Sequence, residues 1–249
     1  MDIIEGRNLS AGYGATTVLR GLDFSVPRGK ITVVAGISGS GKSTLLKTLA
    51  GLMPPLEGEV LFDGSPVDFA SESSLRSLYR RIGVLYQDGA LLNNLNLFEN
   101  VALPIRMQYP AMPTNIIREM VRVLLEQVGL GGNEAKWPSQ LSGGMRKRGA
   151  LARALVLDPD VVLCDEPSGG LDPITSAHLD DLLLNVKEIF GTTLVIVTHE
   201  LRSIERVADH ILVLNNGGLY YSGEFTSLAA SSDEFIRTFF LRKECRNDP

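Results

Sequence analysis

The sequence predicts an α/β fold: a mixed, mostly parallel core sheet, with an antiparallel β part at the N-terminus and an inserted helical subdomain. Three observations predict it. The short apolar runs "ITVVA", "VVLC" and "LVIV" alternate with helical stretches, as parallel strands covered on both faces do. The first thirty or so residues instead alternate apolar and polar side chains, which reads as antiparallel strands. From about residue 88 to residue 140 the pattern is mainly helical. The 249 residues can bury a sizeable core, in one large domain or one domain with a subdomain. The expected organisation is a single domain over 1–249. Its core is 1–87 and 141–228, its helical subdomain about 88–140, and its helical tail 229–249. The helix that opens the second core segment continues to about residue 157.

The elements follow in order. "IIEGRNLS" and "TTVLRGLDFSVP" are strands, with turns at Gly12, Gly14, Pro27 and Gly29. "KITVVAG" is a buried strand, and "GKSTLLKTLAGL" is a helix ending at Gly51. "GEVLFDG" is a strand closed by the Asp63-Gly64 turn, and "RIGVLYQ" is a strand ending at Gln87. "NLFENVALPIRM" and "NIIREMVRVLLEQVGL" are helical, broken up by Pro104, Pro110 and Pro113. "GGMRKRGALARALVLD" is a further helix, whose basic run reads as a solvated face. The strands "DVVLCDEP" and "GTTLVIVTH" flank the helix "SAHLDDLLLNVKEIF". "ILVLNNGGLYYSG" gives the last strands and "DEFIRTFFLRK" a short terminal helix.

Composition narrows the function classes. The chain is 44% hydrophobic and 21% charged, with net charge −5, so it lacks a general nucleic-acid footprint and no nucleic-acid partner is expected. Of its two cysteines, Cys164 reads as a small core residue and Cys245 lies in the polar tail. Neither number nor spacing suggests a disulfide framework or a zinc site, and a cytoplasmic compartment is the simplest expectation. "MDIIEGRNLS" does not read as a signal peptide, and the apolar runs are too short to span a bilayer. Action at a membrane would run through a partner.

Chemistry enters with "GISGSGKS", residues 36–43, placed between a buried strand and a helix. It fits G-x-x-x-x-G-K-[ST] through Gly36, Gly41, Lys42 and Ser43. Such a loop turns backbone N–H groups inward around phosphate oxygens, and the helix adds its positive end. Ser38, Gly39, Ser40 and Thr44 complete the expected cradle. Lys42 would reach the β- and γ-phosphates and Ser43 would ligate Mg²⁺. "VVLCDEP" supplies carboxylates at a strand end, where open α/β sheets bind ligands. Asp165 there can hold Mg²⁺ through water, and Glu166 can deprotonate an attacking water. "LSGGM", residues 141–145, heads another helix, with Ser142 as N-cap and Gly143 and Gly144 exposing N–H groups. One chain thus carries two phosphate-seeking helix ends nearly a hundred residues apart.

With these motifs in this order, the chain resembles the ATP-binding subunit of an ABC transporter over essentially its whole length. "GISGSGKS" is similar to Walker A, "LSGGM" to the ABC signature and "VVLCDEP" to Walker B. Gln87 in "VLYQDG" resembles the Q-loop, Asp172 in "SGGLD" the D-loop, and His199 in "VIVTHE" the switch histidine. Tyr13 stands where the family places an adenine-stacking aromatic. The resemblance implies ATP and Mg²⁺ as ligands, and two subunits paired head to tail. Ser142 and Gly144 would then act on the γ-phosphate held by the partner subunit, and Asp172 would communicate across the interface. His199 would hold the γ-phosphate and the attacking water. Gln87 would sense γ-phosphate and Mg²⁺ and link the site to the helical subdomain. Taken singly, His199 would read as a satisfied strand-end histidine and Tyr13 as a half-buried strand tyrosine. His178 and His210 read as structural, and Arg146 and Arg148 are only weak binding candidates. Two departures stand out: Met145 where glutamine is commoner, which puts a side-chain bond to the ribose or the partner site in doubt, and Gly170 where alanine is commoner.

Within the family, "QDGALLNNLNLFENVALPIR", "LSGGMRKRGALARAL", "DEPSGGLDPIT" and "DEFIRTFF" resemble the subgroup serving Mce/Mla-type phospholipid transport between bacterial membranes. That resemblance implies a homodimer at the cytoplasmic face of the inner membrane. It also implies a permease whose coupling helices dock near Leu91–Pro104, and an Mce-domain lipid-binding protein in the same complex. Leu91, Leu92, Leu95, Leu97 and Phe98 suit helix-in-groove docking or a subdomain core. The alternatives are a transporter with an amino acid, ion, peptide or lipoprotein cargo, and a non-transport ABC ATPase. DNA-maintenance members carry long coiled coils between the Walker motifs, and translation-associated members carry two cassettes. This chain has one Walker A and no heptad run.

Overall fold

The computed structural model describes residues 1–229, 231 and 233–241. A hairpin of β1 (Asp2–Tyr13) and β2 (Thr16–Pro27) leads to β3 (Ile31–Gly36) and α1 (Lys42–Leu49). Next come β4 (Glu57–Phe62), the two-residue β5 (Ser65–Pro66), α2 (Glu72–Arg81) and β6 (Ile82–Leu85). The helices α3 (Leu97–Gln108) and α4 (Thr114–Gln127) precede a 3-10 turn at Pro138–Gln140 and α5 (Gly143–Leu155). The chain continues through β7 (Val161–Asp165), α6 (Pro173–Phe190), β8 (Thr193–Val197) and α7 (Leu201–Val207). It then forms β9 (His210–Asn215), β10 (Gly218–Glu224), α8 (Phe225–Ala229) and α9 (Glu234–Leu241).

Two sheets result. The larger has the order β10-β9-β3-β8-β7-β6, parallel throughout except for β10, which runs antiparallel to β9 at the edge. The smaller is antiparallel, with the order β2-β1-β4-β5. The parallel strands are mostly apolar because both faces are covered, with Thr32 and Thr193 buried among them. Alternate side chains go to opposite cores: Ile31, Val33, Val162, Cys164 and Ile196 to one, Val34, Val161, Leu163 and Val197 to the other. The first core continues into α3, α4 and α5. The second is closed by α1 and the small sheet, through Leu45, Leu46, Leu49, Leu9, Leu22 and Val60. Cys164 is buried in the first core, where desolvation pushes its thiol up to about 12, as fits an inert core residue.

Several local expectations need correction. "RIGVLYQ" leaves the sheet at Leu85, so Gln87 lies in the turn beyond the strand. Gly12 is inside β1, opposite Thr17, and the hairpin turns at Gly14 and Ala15. Pro104 does not break its helix; it is accommodated within α3. The helices α2, α7 and α8 were not expected. α2 is short and buries only Leu78, yet its Leu75, Leu78 and Tyr79 keep helical spacing, and its Ser71 cap, first-turn Glu72 and last-turn Arg80 and Arg81 are proper helix-end signals. Of the expected tail, Cys245 and residues 242–249 lie outside the described residues.

The docking residues divide. Leu97 is fully buried and Leu91 and Phe98 pack against the core, whereas Leu92 is 43% exposed. Leu97 packs so closely on α5 that a Cβ at Gly149 would fall 2.6 Å from its Cδ1. Leu97→Ala should therefore destabilise the protein by about 2–5 kcal/mol in urea unfolding, the usual range for a buried leucine. A change under about 0.5 kcal/mol would contradict its core role. The loop before α3 is built on buried Asn100, whose Nδ2 donates to the carbonyls of Leu92, Leu95 and Asn96 while its Oδ1 accepts Leu92 N–H.

Candidate active site

Four neighbouring parallel strands assemble the site at one edge of the large sheet. In the order β3, β8, β7, β6, their C-terminal ends lead into Gly36, His199, Asp165 with Glu166, and Gln87. Residues far apart in sequence thus line one cavity of about 690 Å³: Gly36, Ser38, Gly39, Gly41, Lys42, Ser43, Thr44, Gln87, Asp165, Glu166 and His199. Val18, Ile37, Val197 and Leu201 add apolar wall that the motifs did not mark.

The glycines of the loop answer to space as well as to conformation. Gly36 has φ 153° and Gly41 φ 101°, both in the region that favours glycine. A Cβ at Gly36 would lie 2.3 Å from Leu214 O, and one at Gly41 2.4 Å from Leu19 Cδ2. Ser40 is buried beneath the loop, its Oγ without a hydrogen-bond partner among the described residues. Lys42 Nζ folds over the loop and donates to Gly36 O and Ile37 O, each at 2.9 Å. Burial lowers the Lys42 pKa, and the charges of Glu166 and Asp165 oppose that shift. Tyr13 does not line this cavity: it lies against α1, 49% exposed, with its hydroxyl accepting from Lys47 Nζ at 3.2 Å.

The acidic side of the cavity is more constrained. Asp165 is pushed to a raised pKa by burial first and by neighbouring Glu166 second, while Lys47 and Lys42 oppose the shift. Glu166 has φ 47°, a left-handed backbone that is strained for a side chain of its size and common at functional sites. His199 Nδ1–H donates to Glu166 Oε1 at 2.7 Å, and Glu166 Oε2 is buried with no partner among the described residues. One carboxylate oxygen is therefore anchored, and the residue as a whole lines the cavity.

The donor set fits Mg²⁺. Ser43, Asp165 and the Gln87 amide offer hard oxygens on one cavity, and no cluster of three His, Cys, Asp or Glu occurs among the described residues. Mg²⁺ prefers one or two carboxylates together with substrate phosphates and water over an all-protein cage.

The comparisons with known proteins match this geometry. A family model described as ABC transporter matches residues 19–169, more than half of the chain. The chain belongs to the ABC transporter family. It is an ABC ATPase, and its relatives and structural neighbours agree with that membership. The probable ribonucleotide transport ATP-binding protein mkl of Mycobacterium leprae is 39% identical over 95% of this chain and 68% of its own length. The intermembrane phospholipid transport system ATP-binding protein MlaF of Escherichia coli is 38% identical over 96% of this chain and 88% of its own. Among solved structures, cbiO1 from Clostridium perfringens, part of the ABC transporter complex cbiONQ, superposes with TM-score 0.85 at 30% identity, covering 98% of this chain and 96% of that one. The dimeric post-hydrolysis cassette MJ0796, bound to ADP and Pi, gives TM-score 0.81 at 30% identity, covering 89% and 98%.

The signature of this ABC ATPase lies apart from the phosphate loop. Ser142 and Gly144 line a second cavity, of about 460 Å³, together with Leu171, Thr175 and His178. Ser142 caps α5, its Oγ accepting Met145 N–H at 3.2 Å. Gly143 follows as the first residue of α5. Met145 packs against the core, so this position offers no polar reach. Asp172 caps α6 by accepting the N–H groups of Ile174 and Thr175 at 3.1 and 3.0 Å. These bonds and the Thr175 hydroxyl, its largest influence, hold its carboxyl below the usual range.

The basic run of α5 is a solvated face only at Arg146, which is exposed; its other cations bind within the chain. Arg148 Nη1 donates to Val128 O and Gly129 O at the end of α4. Arg153 donates to Ala90 O at 2.8 Å and Gly89 O at 2.9 Å, just beyond Gln87. Lys147 is buried and donates to the loop that carries Glu166. Arg148 is therefore a tie within the chain. Sequence reasoning passed over Lys147 and Arg153 because a basic residue in a basic run carries no mark of burial.

Proposed function

We propose that this ABC ATPase forms half of a paired ATP site and powers phospholipid movement through a membrane permease. The observation that carries the pairing is the separation of the two phosphate-seeking helix ends. Lys42 and Ser43 line one cavity and Ser142 and Gly144 another. A second copy, turned head to tail, brings its signature to the first copy's phosphate loop. The dimeric cassette among the structural neighbours supports this arrangement.

In this reading the loop amides from Gly36 to Thr44 and the Lys42 ammonium bind the phosphates of ATP, and Tyr13 stacks on adenine. Ser43 and Asp165, with Gln87, hold Mg²⁺, which when bound neutralises phosphate charge. Glu166 Oε2 accepts the proton of the attacking water. His199 orients Glu166 and the γ-phosphate, and Asp172 lies at the interface between copies. ATP favours the closed dimer because it touches both subunits only there. Hydrolysis removes that bridge and the dimer reopens.

The permease contact falls near Leu91–Pro104. Leu92 is exposed there, on a loop fixed by Asn100. Among the described residues no helix is long and apolar enough to cross a membrane, which accords with attachment through a partner at the cytoplasmic face of the inner membrane. The phospholipid assignment rests on MlaF, which this chain matches over 88% of its length, and on the subgroup motifs. An Mce-domain lipid-binding protein belongs to the proposed complex.

The test is capture of the Glu166→Gln variant with ATP from detergent-solubilised native membranes, followed by protein and lipid mass spectrometry. The expected result is a polytopic permease, an Mce-domain protein and phospholipid. A permease carrying ribonucleotide or another cargo would keep the ATPase and overturn the lipid assignment.

A further inference from the structure

Lys147 is a buried cation that none of the roles above uses. It lies in the second turn of α5 and is only 5% exposed. Its Nζ donates to Gly169 O at 2.5 Å and to Glu166 O at 3.4 Å. The Glu166 carbonyl also accepts Gly169 N–H at 3.1 Å, and Glu166 N–H donates to Val197 O at 2.8 Å. The left-handed backbone of Glu166 is thus clamped on both sides, and of these contacts only the one from Lys147 reaches it from the signature helix. The carboxylates that act on the Lys147 ammonium are those of Glu200, Asp88 and Glu166. Each is the residue directly after His199, Gln87 or Asp165. Burying an ammonium is unfavourable unless it is paired and hydrogen-bonded. An apolar side chain would fill the same space without that penalty. The position calls for a donor aimed at the loop.

We propose that Lys147 is a positioning residue for hydrolysis: its ammonium ties the signature helix to the Glu166 backbone and the Gly169 loop, and so fixes the carboxylate that receives the water proton. The inference rests on Glu166 as general base. It also gives the signature a route to the catalytic loop of its own subunit, because a shift of α5 on meeting the partner's nucleotide moves the donor that holds Glu166.

The test uses the permease complex in which the wild-type chain hydrolyses ATP. Lys147→Met keeps the apolar stem and removes the donor; Lys147→Arg keeps a donor. Expected for Lys147→Met is a kcat about 10- to 100-fold lower, the scale of a displaced catalytic group. The KM for ATP and the affinity for a fluorescent ATP analogue should stay within about twofold, and Lys147→Arg should recover most of the rate. Thermal unfolding monitors folding, and Lys147→Leu, which also lacks a donor, takes the place of the methionine variant if that one does not fold. A folded donor-less variant with parental kcat would overturn the proposal. So would a loss of ATP affinity matching the loss of rate, or an arginine variant as slow as the methionine one. Glu166→Gln, measured alongside, separates the two readings. An active Glu166→Gln sinks the base assignment, whereas an inactive one beside a fully active Lys147→Met sinks only the role of Lys147.

Discussion

Glu166→Gln is expected to lower kcat for ATP hydrolysis about 10²- to 10⁴-fold, the usual contribution of a positioned general base, while leaving ATP binding intact. The substitution is close to isosteric. Glutamine retains an oxygen to accept His199 Nδ1–H, now 2.7 Å from Glu166 Oε1. The backbone position at φ 47° meets the same steric demands with either side chain. What disappears is the basicity of Oε2, the buried oxygen without a partner among the described residues. Binding and catalysis should therefore separate. Steady-state hydrolysis should nearly vanish, and size-exclusion chromatography with ATP should show a persistent dimer. Thermal stability should match the parent, because no packing changes. Parental hydrolysis in this variant would remove Glu166 from the mechanism.

The sheet was readable because parallel strands buried on both faces leave short runs with no charged residue, as in "ITVVA" and "LVIV". The phosphate loop was readable because its glycines are dictated by backbone approach, shown by the 2.3 Å that would separate a Gly36 Cβ from Leu214 O. What remained hidden depends on tertiary placement. α2 is short and mostly polar, and its stripe of Leu75, Leu78 and Tyr79, although at helical spacing, buries only Leu78. Leu97 and Leu92 look alike in sequence, yet one enters the core beside Gly149 and the other faces outward. The contact between Glu166 and His199 joins residues 33 apart, and it exists because β7 and β8 are neighbours in the sheet. Lys147 was hidden most completely. Its burial follows from the packing of α5 under the catalytic loop, which no local pattern encodes.

Lys42→Ala should weaken ATP binding about 10- to 100-fold, taking 1.5–3 kcal/mol as the worth of a hydrogen bond to a charged group. The ligand-free geometry limits the effect. Nζ already donates to Gly36 O and Ile37 O at 2.9 Å, so phosphate must displace bonds that exist. The contribution of Lys42 to binding is then the difference between a charged acceptor and two neutral carbonyls. The burial that lowers its pKa also reduces screening by water, which strengthens attraction to phosphate. The loss should therefore be specific to phosphate. Titration with fluorescent nucleotide, competed by ATP and by adenosine, checks this. ATP affinity should fall while adenosine affinity holds, since Tyr13 and the apolar wall are untouched. Equal losses for both would mean that the loop collapses without its lysine, and unchanged ATP affinity would sink the phosphate-loop assignment. Arginine should not rescue binding, because the guanidinium is broader than the ammonium and the loop is closed around its glycines, with Gly41 against Leu19.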